Sequence, residues 1–219
     1  MPTRRAAKSA KPAKKLARAR PSAATSSMAS ARASIAAHFA ARHRATSKAI
    51  ESAVRAAWKR LRRETAGQDV YALALYTSGQ DSYSYVCISA CTEQGLTEVA
   101  RGYLARKPDS SLERERASLR WNACDWSHHE IADVLDLAVD ENLAIRSRYE
   151  DAAIWDAFAT ALERCDAAGL FGKGAERERL TLAILCGDMG SRFFAKGIRR
   201  LNSPKVAARA LREWRAALA

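Results

Sequence analysis

The segment Val70–Thr92, VYALALYTSGQDSYSYVCISACT, reads as two strands joined by a polar turn. Successive residues of a strand face opposite sides of its sheet. Val70, Ala72, Ala74 and Tyr76 therefore share one face of the first strand, and Tyr71, Leu73 and Leu75 share the other. Both faces are apolar, which places this strand mid-sheet with cover on each side. Ser78-Gly79-Gln80-Asp81 supplies the turn chemistry. The returning strand opens with Ser82 and Ser84 on one face and Tyr83 and Tyr85 on the other.

Upstream, Ile50, Val54, Ala57, Trp58 and Leu61 recur at helical spacing, in a helix that could begin near Ser34 and ends at Gly67. Downstream, Thr92 is placed to cap a helix whose apolar face is Leu96, Val99, Ala100, Tyr103 and Leu104, and Pro108 stops it. Ser118-Leu119-Arg120-Trp121 is expected as a short strand, followed by irregular chain to His129. A helix is expected from Glu130, turning Ile131, Val134, Leu135, Ala138 and Asn142 inward. Another runs from about Glu150 through Ile154, Trp155, Phe158, Leu162 and Cys165 to a stop at Gly169. Leu180 to Cys186 repeats the two-sided apolar pattern of a buried strand. Two helices close the chain, one holding Phe194, Ile198 and Leu201, the other capped by Ser203 and opened by Pro204. The sum is an α+β domain: a small, mainly antiparallel sheet of three to five strands with several packed helices. It spans residues 31–219, behind a low-complexity tail over 1–30 that is expected to be disordered.

Charge is divided unevenly. Twelve Lys and Arg residues and no acid precede Glu51, which leaves 25 basic residues against 24 acidic ones in the remainder. The formal net charge of +13 thus belongs almost wholly to the leading segment, and a high pI says little about the folded body. Arg4, Arg5, Lys8, Lys11, Lys14, Lys15, Arg18 and Arg20 are candidates for non-specific phosphate contacts to nucleic acid. No aromatic residue lies among them to stack on a base. A merely solvated tail is the plainer reading.

Five cysteines, with no C-x-x-C pair, form neither a disulfide framework nor a zinc knuckle. All but Cys124 fall on apolar stripes, so reduced, buried thiols and a cytoplasmic location are expected. No apolar run is long enough to span a membrane.

Other groupings hint at chemistry without defining it. Asp133, Asp136 and Asp140 would share one helix face, a solvated surface first and a dock for a basic partner second. Cys124, His128 and His129 invite a thiol–imidazole or metal hypothesis, but no third orienting group stands at a recognisable spacing. Neither a metal nor a cofactor is assigned. Gly187-Asp188-Met189-Gly190 sits where a buried strand hands over to a helix, a common ligand position, yet no phosphate-loop pattern is present. Asp188 is most simply a helix N-cap.

The blocks VYALALYTS, ACTEQGL, LRWNACDWSHHE, LAILCGDM and IRRLNSP, in that order from Val70 to Pro204, resemble a bacterial family catalogued as domain of unknown function 4303. The likeness extends from about Ile50 to the C-terminus and is carried most specifically by Arg120-Trp121 with Trp126, Gly187-Asp188, and Leu201-Asn202 before Pro204. It implies a compact α+β domain and brings no catalytic residues with it. Trp121, Asp125, Trp126 and Asp188 are the candidates for a partner-binding surface. The reading that follows is a non-enzymatic protein-binding domain, in the manner of toxin-neutralising immunity proteins. Its alternatives are a nucleic-acid-associated protein acting through the tail, and an enzyme whose site the sequence does not reveal.

Overall fold

The computed structural model describes residues 23–77, 86–107, 109–133, 148–187 and 191–217. The basic residues Arg4 to Arg20, the Ser78–Tyr85 turn, the Asp136 and Asp140 helix face, and Asp188 lie outside these ranges. The chain divides into two compact units, 1–38 and 39–219, and the second contains the whole sheet.

Helix α1 (Ala23–Glu64) begins earlier than the Ser34 start read from the sequence. Strands β1 (Val70–Thr77) and β2 (Val86–Thr92) follow, then α2 (Glu93–Leu104), α3 (Leu112–Leu119) and β3 (His128–Asp133). The remainder is α4 (Arg148–Ala167), α5 (Gly174–Arg179), β4 (Thr181–Cys186), α6 (Ser191–Leu201) and α7 (Pro204–Ala217). Among the described residues, seven helices and a four-stranded mixed sheet make this an α+β protein. Strand order is β3-β2-β1-β4; β2 pairs antiparallel with both β1 and β3, while β4 pairs parallel to β1. No helix among the described residues is long and apolar enough to cross a membrane.

β1 is buried at every position, as its two-sided pattern requires. Leu73 and Leu75, with Ile88 of β2 and Leu182 of β4, pack on Ile50, Val54, Trp58 and Leu61 of α1 and on Phe158 and Leu162 of α4. The opposite face carries Ala72, Ala74 and Ala183, and these small side chains let Leu96, Phe194, Ile198 and Leu211 approach the sheet closely. A register shift between Val70 and Ala72 turns both Tyr71 and Ala72 toward that second face.

The helix caps behave as their residues predict. Thr92 Oγ1 accepts from Gly95 N at 2.9 Å, and Ser203 Oγ accepts from Val206 N at 3.4 Å.

Two expectations are corrected. The Ser118–Trp121 strand is replaced by α3 and the turn after it. Ser111 Oγ caps α3 by accepting from Arg114 N at 3.2 Å, and Glu113 and Glu115 in its first turn suit the positive end of the helix dipole. The helix start expected at Glu130 falls within strand β3, paired to β2 through Cys87–Asp133, Ile88–Ala132 and Ala90–His128, and the rest of that expected helix, from Val134, lies outside the described residues. The open backbone edge of β2 outweighs the local helical spacing of the apolar residues.

β4 occupies an edge of the sheet although it is apolar on both sides. The Asn202 amide stands in for the missing strand. Its Nδ2 donates to Leu182 O at 2.8 Å, and its Oδ1 accepts from Leu182 N at 2.9 Å.

Candidate functional site

Because β1 and β4 run parallel, their carboxyl ends finish side by side, Tyr76 beside Leu185 and Thr77 beside Cys186. Ligands of sheets with parallel strands often bind at such an end. A cleft of about 390 Å³ opens there. Tyr76 and Thr77 of β1, Cys186 of β4 and Gly187 just after it form its floor, and Trp121, Trp155, Phe194 and Trp214 wall it. The walls are braced by ring contacts: Trp121 lies 5.4 Å from Phe194, and Phe194 lies 5.1 Å from Trp214. A Cβ at Gly187 would come within 2.9 Å of Tyr76 Oη, so the tyrosine hydroxyl would have to shift to admit any larger residue.

Two polar atoms of cleft-lining residues stand out. Trp121 Nε1 and Thr77 Oγ1 are buried and have no hydrogen-bond partner among the described residues. Buried donors left in that state cost about 1–3 kcal/mol each. An indole N–H can only donate, so the group that satisfies Trp121 is an acceptor.

The partner-binding candidates separate by placement. Trp121 walls the cleft, and the Gly187 that precedes Asp188 lies on its floor. Trp126 is a core residue, its Nε1 donating to Arg120 O at 3.2 Å. Asp125 is engaged within the fold: its Oδ1 accepts from Tyr103 Oη at 2.7 Å and its Oδ2 from Asn122 Nδ2. The hydrogen bond to Asp125 pushes the Tyr103 phenol above its ordinary pKa. Cys124 is exposed and donates to Oη of the cleft residue Tyr76 at 2.8 Å. His129 is on β3, with Nδ1 at 2.9 Å from Ser89 Oγ and its ring edge-on to Tyr76.

Sequence reading missed Thr77, Trp155, Phe194 and Trp214 as site residues, because each sits on an apolar stripe that also describes core. What unites them is the parallel pairing of β1 and β4, which no local pattern encodes.

A second hollow of about 170 Å³, at the opposite end of these strands, is charged instead of aromatic. Its cations already have partners. Arg120 bridges Glu93 at 2.6 Å and Glu213 at 3.2 Å, and Arg209 donates to Glu178 O and Arg179 O at 3.0 Å each. Those bonds brace the fold and make the aromatic cleft the stronger candidate.

Fold and cleft together define an α+β domain with an aromatic cleft at the carboxyl ends of a parallel strand pair. The chain belongs to the family described as a domain of unknown function, DUF4303, whose model matches residues 50–203. No curated protein and no solved structure matches it.

Proposed function

We propose that the domain is a protein-binding module whose cleft receives an apolar side chain from an extended segment of a partner, with a carbonyl of that segment accepting from Trp121 Nε1. The observation that carries this reading is the pair of buried polar atoms, Trp121 Nε1 and Thr77 Oγ1, that have no hydrogen-bond partner among the described residues and belong to residues lining an aromatic cleft. Binding hot spots are enriched in tryptophan, and a buried donor awaiting an acceptor gives orientation as well as affinity. Sequestering another protein, as toxin-neutralising immunity proteins do, is work suited to such a module. Five cysteines with no disulfide among them fit a reducing compartment, in keeping with a cytoplasmic role.

Selection from a displayed random-peptide library tests the proposal. Enriched peptides are expected to share an apolar anchor, and Trp121→Phe, which keeps the ring but loses the N–H, should weaken them by about tenfold. Peptides without a common anchor, or unchanged affinity in Trp121→Phe, would overturn it.

The lopsided charge favours a second reading, in which Arg4 to Arg20 hold nucleic acid non-specifically. With all eight cations on duplex DNA, log affinity should fall with log salt at a slope of about −7. Deletion of residues 1–21 should abolish that binding; retained affinity would refute a role for the tail.

A further inference from the structure

Three different metal-ligating atoms meet beside the sheet, outside the aromatic cleft. The Cys87 sulfur, a ring nitrogen of His129 and a carboxylate oxygen of Glu130 all lie within 4.8 Å of one another. Cys87 and Ser89 project from the same side of β2, two residues apart. His129 and Glu130 come from β3, in the register shift between Ile88 and Ala90.

The backbone is bent to bring the last two together. Neighbouring residues of a regular strand point to opposite faces, so His129 and Glu130 should be separated. Glu130, however, has φ of 52°, the only positive value at a non-glycine residue among the described residues. That left-handed conformation folds its side chain back until Oε1 is 3.6 Å from His129 Nε2. A long acidic side chain has no local reason to adopt it.

Ser89 orients the donors. With His129 Nδ1 donating to Ser89 Oγ at 2.9 Å, Nε2 keeps its lone pair on the side of Glu130. The Ser89 hydroxyl can then donate to Cys87 Sγ, 3.7 Å away, which favours the thiolate. One thiolate, one carboxylate and a neutral imidazole carry two negative charges, matching a divalent ion.

We propose that Cys87, His129 and Glu130 bind a divalent transition-metal ion of the zinc class. Ligand bonds of 2.0–2.3 Å in a tetrahedron put donor atoms roughly 3.3–3.8 Å apart. The His129–Glu130 pair already meets that spacing, and the other donor pairs, within 4.8 Å, close by turning the exposed Glu130 side chain and the half-buried His129 ring. On coordination the Cys87 thiol gives its proton to solvent. Three protein ligands leave a fourth position for water or an exogenous ligand.

Titration of the full-length chain with Co²⁺, and with Zn²⁺ in competition, tests the site. One ion per chain is expected, with thiolate-to-cobalt charge-transfer absorption that Cys87→Ser removes. His129→Gln should weaken binding at least tenfold, and Ser89→Ala, which keeps every ligand, by about 10–100-fold. Since Cys87 is buried and Cys87→Ser can fail to fold, Glu130→Gln on the exposed side provides a further variant, expected to weaken binding with an unchanged circular dichroism spectrum. Absence of stoichiometric binding, cobalt binding without thiolate absorption, or affinity indifferent to His129→Gln would overturn the proposal. None of these results bears on the aromatic cleft.

Discussion

Replacing Asn202 with Ala removes the side chain that closes the edge of β4. The Asn202 amide pairs both backbone groups of Leu182, a residue with no solvent exposure, and Nδ2 also donates to Ile198 O at 2.9 Å in the last turn of α6. Truncation orphans the Leu182 N–H and C=O together. At about 1–3 kcal/mol per unsatisfied buried group, the loss comes to roughly 2–6 kcal/mol. That is a large share of the 5–15 kcal/mol that holds a typical domain folded. With a urea m-value of about 2 kcal/mol/M, a mid-range loss lowers the unfolding midpoint by about 2 M. Equilibrium urea unfolding followed by tryptophan fluorescence measures it. Asn202→Asp keeps an acceptor for Leu182 N but no donor for Leu182 O, so its midpoint should fall between the other two. A loss below about 1 kcal/mol at unchanged m-value would mean that water satisfies this edge, and the clamp argument would fail.

Gly95→Ala should destabilise the fold by about 1–3 kcal/mol, because the new methyl would overlap the Ser127 side chain down to its Cβ. Gly102→Ala in the same helix meets nothing within 4 Å and should stabilise by about 0.5–1 kcal/mol; thermal melts of the pair should therefore move in opposite directions. Burial pushes the Asp156 carboxyl up, but hydrogen bonds from Arg200 and His43 outweigh it and hold the pKa below the ordinary carboxylate value. Its contribution is therefore complete above the unfolded-state value of about 4 and disappears as pH falls through the lower folded-state value. Asp156→Asn should flatten the dependence of melting temperature on pH over that acidic range, and an unaltered slope would refute the linkage. Cys124 is exposed and should be alkylated first at neutral pH, while Cys165, whose thiol burial pushes up to about 11, and the buried Cys91 should react only on unfolding; mass spectrometry of partially labelled chain gives the order.

Much of the architecture is legible locally. A strand apolar on both faces must be covered on both faces, and β1 is. Thr92, Ser203 and Pro204 mark helix starts because side-chain oxygens satisfy free N–H groups and proline tolerates a first turn. The failures share a cause. Ile131 falls on a helical stripe in the sequence, but the unpaired edge of β2 is available to the backbone and residues His128–Asp133 form β3. The side-chain partners of Asp125 and Trp126, Tyr103 Oη and the Arg120 carbonyl, are likewise set by tertiary packing.

By itself, the sequence determined what each segment must bury, where its helices start, and the confinement of net charge to the leading residues, since these depend on neighbours a few positions apart. Tertiary structure alone decided that β4 runs parallel to β1, that Trp121, Phe194 and Trp214 share a cleft, and that Cys87 faces His129. Those are meetings between residues distant along the chain. They are set by the competition of all strands and helices for the same partners, which local periodicity does not record.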